Sequence, residues 1–353
     1  MIRSPLGLAL LSLTLTACSP SNPQQQVSQA LTDGVLLPIY SAWHEADRQL
    51  AVSAQAFCSD QQSLTEARQA FASAQSAWAA VQPASVGPLA EGNRAWQVQF
   101  WPDKKNLVAR QVEALLNSKP ELTPADLDKS SVVVQGLTAY EYLLFDPAID
   151  LNNAEQKARY CPLMVAIGEH QQVLAADVLA SWQRADGMAA QLKNFPNERY
   201  AEAAEAVAEL LRTQVSAIDG LKKKLGTPMG RQSKGQPQPY QAEAWRSKAS
   251  LTNLAASLAS AERIWLGAEQ DGMQALLGSD HAELKQRINA AYSDTRQRLA
   301  AAQRPLGELL SDEAGRAELN ALYDSLNTLH RLHESELAKT LGIQLGFNAH
   351  DGD

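Results

Sequence analysis

The chain has 353 residues, 45% of them apolar and 20% charged, with a formal net charge of −8. That length suffices for two cores rather than one, and the apolar content excludes disorder as the main state. The acidic balance, with no basic run beyond Lys222, Lys223 and Lys224, excludes nucleic acid as a partner.

The opening residues MIRSPLGLALLSLTLTACSP carry a basic start at Arg3 and a short apolar stretch, in the manner of a secretory signal peptide over residues 1–17. Cys18 directly after Leu15, Thr16 and Ala17 resembles a bacterial lipobox, where the leader is cut and a diacylglycerol is attached to the cysteine. Ser19, in place of an aspartate, sends such lipoproteins to the outer membrane, so the expectation is an outer-membrane lipoprotein facing the periplasm. Its membrane partner is then lipid, held through Cys18. No later segment approaches roughly 20 apolar residues. Residues 18–26, polar and proline-containing, read as a tether.

Abundant alanine and leucine, with only 6% aromatic residues, predict an all-α chain. A first helix reaches about Phe57, with Pro38 predicting a kink or a break. Ser63 and Glu66 form a capping box ahead of Leu64, Phe71, Ala74 and Trp78 at helical spacing. A loop at 83–88 follows, then Trp96, Phe100 and Trp101, with Asp103 capping a helix to about Asn117. Thr123 and Pro124 open the next helical stretch, which continues through 132–145 (VVVQGLTAYEYLLF), and Asn153 starts a long helix to Trp182. Further helices are expected from Asn197 to about Lys224, Ala242 to Leu266, Asp280 to Ala302 and Asp312 to Lys339, with a long loop at 226–241. The pattern is two up-and-down helical bundles, 27–195 and 196–353. The likeness of ASAQSAW (72–78) to ASAERIW (259–265) suggests internal duplication.

Once the leader is removed, Cys58 and Cys161 are left in an oxidising compartment, which predicts one disulfide, with two separate thiols as the alternative.

Glu141 sits inside an apolar helix-length run, with Val133, Leu137, Tyr140 and Leu144 as the neighbouring core stripe. A carboxylate there needs a partner from another helix: an arginine, a serine or a bound cation. A structural ion pair between helices is the alternative to a binding role. Gly136, costly in a helix interior, suggests close approach of another helix or a ligand.

The stretch from Gly136 to Phe145 resembles the signature of the imelysin family, G-x-H-x-x-E followed by an aliphatic-aromatic run. The likeness extends to FWPDKKN (100–106), EAWRSKASL (243–251) and the ending LGIQLGFNAHDGD. It implies two helical bundles related by duplication, with a site where the signature helix meets the other domain. The family is linked to bacterial iron uptake and to a metallopeptidase, and some relatives bind polysaccharide or metal. Gly136 and Glu141 match the signature, whereas Thr138 stands where it has histidine. Trp245, Arg246, Ser247 and Ser250 are the candidates for the facing wall.

There is no H-E-x-x-H, no E-x-x-H pair and no serine-hydrolase elbow. The remaining candidate for a metal ion, iron or zinc, is LHRLHESE, where His330, His333 and Glu336 step along one helix side. Histidines bordering the apolar stripe of Leu322, Leu326 and Leu329 are the plainer reading. The expectation is a non-enzymatic binding component connected to iron acquisition. Its partner would be a small ligand or an envelope protein, and its ligand site would lie at the cleft near Glu141. A metal-dependent peptidase is the alternative, and a structural or polysaccharide-binding envelope protein the third reading.

Overall fold

The computed structural model describes residues 22–345, which are helical with no β-strand among them. The expected leader over residues 1–17, Cys18, residues 19–21 and the final stretch 346–353 lie outside the described residues. Among the described residues no helix is long and apolar enough to cross a membrane.

The elements are α1 (Pro23–Leu31), α2 (Leu37–Cys58), α3 (Leu64–Val81), α4 (Arg94–Val98), α5 (Leu107–Ser118), α6 (Pro124–Asp128), α7 (Leu137–Phe145), α8 (Ala154–Gln183) and α9 (Met188–Lys193). They continue with α10 (Ala203–Gly226), α11 (Ser250–Leu266), α12 (Ala282–Ala301), α13 (Leu306–Leu309), α14 (Glu313–Arg331) and α15 (Ala338–Thr340). In the first bundle α2 packs between α3 and α8, with α5, α6 and α7 closing one side. In the second, α10, α11, α12 and α14 pack in sequence around Trp265, Tyr292 and Leu329. The bundles meet where α3 lies against α11, and one core runs through both.

Side-chain caps set several helix starts where the sequence places them. Ser63 and Glu66 exchange bonds at α3, and Thr123 and Asp126 do so at α6. The side chains of Asn153 and Asp312 accept from Gln156 N–H and Gly315 N–H. The N-cap of α5 is Asn106 rather than Asp103, whose side chain accepts from Leu107 N–H four positions on at 2.6 Å. The break at Pro38 takes a specific form. Thr32–Leu36 turns as a π-helix, and Pro38 sits in the first turn of α2. Proline has no N–H for the carbonyl four residues back. That carbonyl, on Gly34, instead accepts from Arg263 Nη2 of α11 at 3.2 Å.

Four expectations need correction. Residues 23–26 are not tether: α1 starts at Pro23, capped by the Asn22 side chain. Gly136 is not helix-interior: a 3-10 turn at Val132–Val134 precedes it, and it forms the N-cap of α7. The expected helix from Asn197 begins at Ala203, because the Asn197 carboxamide folds a turn by accepting from Arg199 N–H and Tyr200 N–H. Helix α11 begins only at Ser250; residues 242–249 form a loop in which Ala244 and Lys248 take left-handed backbone conformations, φ 54° and 60°. The two similar segments lie on α3 and α11, the pair that meets across the seam. Rows of alanine and serine let these two helices approach closely.

The division between bundles is crossed at the start of the chain. Helix α1 belongs in sequence to the first bundle but packs on α10 of the second as well as on α9 of its own. Ser28 Oγ donates to Leu192 O at 2.6 Å, and Gln29 Nε2 to Lys193 O at 3.0 Å.

Cys58 at the end of α2 is bonded to Cys161 in α8, with a Cα separation of 5.6 Å and a sequence separation of 103. The chain-entropy estimate for a loop of that size is about 4–5 kcal/mol. The double variant Cys58→Ser, Cys161→Ser is expected to keep its helix content by circular dichroism yet lose about 3–4 kcal/mol in urea unfolding. A loss under about 1 kcal/mol would show that packing of α2 on α8 already holds the two helices.

Candidate functional site

Helix α7 is enclosed on all sides: Leu137 and every residue from Ala139 to Leu144 are buried. Its entry is fixed by Gly136, where a Cβ would stand 2.3 Å from Val98 O and 2.6 Å from Gln97 O. Only glycine lets the backbone leaving α4 come that close. Side-chain bonds join the same two strands of chain. Gln171 Nε2 donates to Gln97 O and Gln135 O, at 2.9 and 3.0 Å, and Thr138 Oγ1 donates to Phe100 O at 2.9 Å.

From this helix Glu141, 1% exposed, points at loop 242–249 of the other half of the chain. Its Oε1 accepts from Ser247 N–H at 2.7 Å and Ser247 Oγ–H at 2.8 Å. The left-handed residues Ala244 and Lys248 bend the loop so that its backbone amide faces the carboxylate. Ala249 N–H closes the turn on Ala244 O.

Arg246 does not pair with Glu141. Its side chain, 1% exposed, donates from Nε to Asp146 Oδ2 at 2.8 Å and from Nη2 to Asn106 Oδ1 at 2.9 Å, stacking over Trp245 and Tyr142. Buried Glu243 accepts from Lys224 Nζ at 2.6 Å, which also donates to Gln82 Oε1. Three carboxylates thus share this interior with two cations, and the unpaired one is Glu141. Burial accordingly pushes its pKa above the ordinary value, against the bonds from Ser247 and the field of Arg246; Glu243 adds to the rise.

Of the predicted wall, Ser247 and Arg246 take part as described. Ser250 turns the other way, its hydroxyl donating to Glu243 O, and Trp245 lies partly exposed beside Tyr240, ring centroids 5.0 Å apart. These two rings, with Pro239, Lys248, Pro305 and Leu306, border a surface pocket of about 260 Å³ just outside the loop. Asp146, Asn106, Glu243 and Lys224 were not singled out. Asn106 and Glu243 fall inside FWPDKKN and EAWRSKASL, and Asp146 directly follows the signature, so position beside the motif was the available signal.

The signature donors do not fit a transition-metal ion. A threonine hydroxyl is a weak ligand, and that of Thr138 is directed at Phe100 O; Glu141 Oε1 already accepts two bonds. The other candidate set is not brought together either. His333 is fully buried, with Nδ1 on Leu329 O at 2.9 Å and Nε2 on Tyr292 Oη at 3.2 Å, and burial lowers its pKa to about 4. Glu336 instead pairs with Arg287 and Arg331. Leu332–Leu337 is π-helical, so the spacing assumed for an α-helix does not hold. Among the described residues no group of three His, Cys, Asp or Glu is placed to hold a metal ion.

Comparison with known proteins follows the same lines. A family model described as imelysin, peptidase M75, matches residues 36–333. Among solved structures, the chain is similar to an imelysin-like protein from Psychrobacter arcticum, with a TM-score of 0.79 and 22% identity, over 92% of this chain and 97% of that one. It is also similar to a protein from Parabacteroides distasonis described as an iron-regulated protein A precursor. There the TM-score is 0.73 and the identity 16%, over 93% of this chain and 97% of that one. No curated protein matches. At these identities the structural likeness shows the fold.

Because the folded-state pKa of Glu141 is raised, its ionisation opposes folding. Its contribution to stability is complete below the ordinary carboxylate pKa of 4.5 and is lost as pH rises toward the elevated folded value. Urea unfolding of wild type and Glu141→Gln from pH 4 upward should show stability falling with pH in wild type relative to the variant; parallel curves would refute an elevated pKa. Ser247→Ala removes one of the two donors and should cost about 1–3 kcal/mol.

Proposed function

The chain belongs to the imelysin family, and from that membership we propose that it is a non-enzymatic binding component of the bacterial envelope, anchored through Cys18 and serving iron acquisition. The observation that carries the reading is that the polar groups of the signature region are bonded to one another. Glu141 is held by Ser247, Thr138 by Phe100 O, and Arg246 by Asp146 and Asn106. A catalytic centre needs a group free to accept or deliver a proton or to activate water. Here the same residue types build a rigid junction between the halves of the chain, and rigidity of that kind suits presentation of a binding surface. The ligand-facing part of the locus is the pocket bordered by Tyr240 and Trp245, immediately outside the loop that Glu141 holds.

The iron connection is supported by the family resemblance and by the name of the Parabacteroides distasonis neighbour, which is a statement about that protein. Anchorage is supported by the residues Leu15 to Ser19, as read above.

Three measurements on the host bacterium and the purified protein test the reading. Metabolic labelling with radioactive palmitate should mark the wild type and not Cys18→Ser. A deletion strain should accumulate less radioactive iron under iron limitation than its complemented parent. Purified protein should neither retain a stoichiometric metal nor cleave an unfolded protein substrate. Zinc or iron held by the wild type and lost in Glu141→Gln, together with proteolysis, would replace this reading with a metallopeptidase.

A further inference from the structure

Residues 19–26 read from sequence as a spacer, but α1 already begins at Pro23, capped by Asn22. From Cys18 to Asn22 there are four peptide units, which span at most about 15 Å when fully extended. Helix α1 cannot swing out to lengthen that reach. Val27 and Leu31 are buried, Ser28 Oγ is bonded to Leu192 O, and Gln25 and Gln29 both donate to Lys193 O. Any bilayer holding a lipid on Cys18 therefore lies close to the first turn of α1.

The Glu141 locus sits far from that turn, as two helices show independently. Along α11, Arg263 near the C-terminal end bonds to Gly34 just beyond α1, whereas Ser250 at the N-terminal end bonds to Glu243, in the loop that holds Glu141. From Ser250 to Arg263 is about 20 Å along the helix axis. Along α10, the first turns are tied to the α9 end that holds α1, through Tyr200 on Glu209 and Asn197 on Gln191. The last turn reaches Glu243 through Lys224. From Glu209 to Lys224 is about 22 Å along the axis.

On these distances, and resting on the Cys18 anchorage proposed above, we infer that the lipidated protein stands end-on at the membrane. The start of α1 abuts the lipid surface, and the pocket at Tyr240 and Trp245 points into the aqueous periplasm. The pocket then takes a water-soluble ligand or the soluble part of a partner, and lipid headgroups of the anchoring leaflet cannot reach it.

The test uses lipidated protein reconstituted in phosphatidylethanolamine–phosphatidylglycerol vesicles that contain a nitroxide headgroup lipid. Cys18 is acylated and Cys58 is bonded to Cys161, so an added cysteine is the single labelling site. A fluorophore at Gln26→Cys, an exposed position of α1, should be quenched several-fold more than one at Tyr240→Cys, with circular dichroism confirming that both variants fold. Equal quenching, or stronger quenching at position 240, would overturn the orientation. Insertion of a twenty-residue Gly/Ser segment between Ser21 and Asn22 should bring quenching at position 26 down to the level at 240; undiminished quenching would overturn the tether-length argument. Mass spectrometry separates the two readings. A chain without acyl groups refutes the anchorage itself, whereas an acylated chain with the wrong quenching pattern refutes only the orientation.

Discussion

Taking an ionisable carboxylate out of water is unfavourable unless something replaces the lost hydration, and that requirement at Glu141 organises the junction between the two halves of this chain. The replacement comes from an amide and a hydroxyl on one residue, Ser247, which lies 106 positions away in sequence. To present both, loop 242–249 adopts two left-handed residues that a free chain would seldom populate. The bent loop is in turn fastened by Arg246 on Asp146 and Asn106, and by Lys224 on Glu243. Each of these bonds is intelligible only when the others are in place, and such interdependence is typical of buried polar networks.

The seam between the bundles obeys a related rule. Where α3 and α11 approach, small side chains permit close contact, and the polar loose end left by Pro38 is taken up by Arg263 from the opposite helix. A carbonyl that proline leaves without its usual N–H partner has become a tie to the neighbouring helix.

Much of the architecture was legible in the sequence because it depends on local chemistry. The capping box at Ser63, the N-cap and first-turn pair at Thr123 and Pro124, the helix starts at Asn153 and Asp312, and the apolar stripes of the long helices all act within a few residues of one another. The need of Glu141 for a partner was legible for the same reason: its neighbours are apolar. Which partner answered was not, because Arg246 and Ser247 both stood in the wall and the choice turned on loop geometry. Ala242 to Ala249 has the composition of a helix start, and tertiary bonds override that propensity. The His330, His333 and Glu336 set failed for a different reason, since a π-turn changed the angular spacing and the surrounding core had already claimed His333. Nothing local indicated that α1 packs on the far bundle.

That last feature bears on how the molecule is made. As the chain is synthesised α1 emerges early, yet the carbonyls to which it bonds, at 192 and 193, appear only some 164 positions later. Until then its apolar side has no surface to cover it. The packing of the first half is consequently completed only once α9 is in place, with the head of the chain among the last parts to settle.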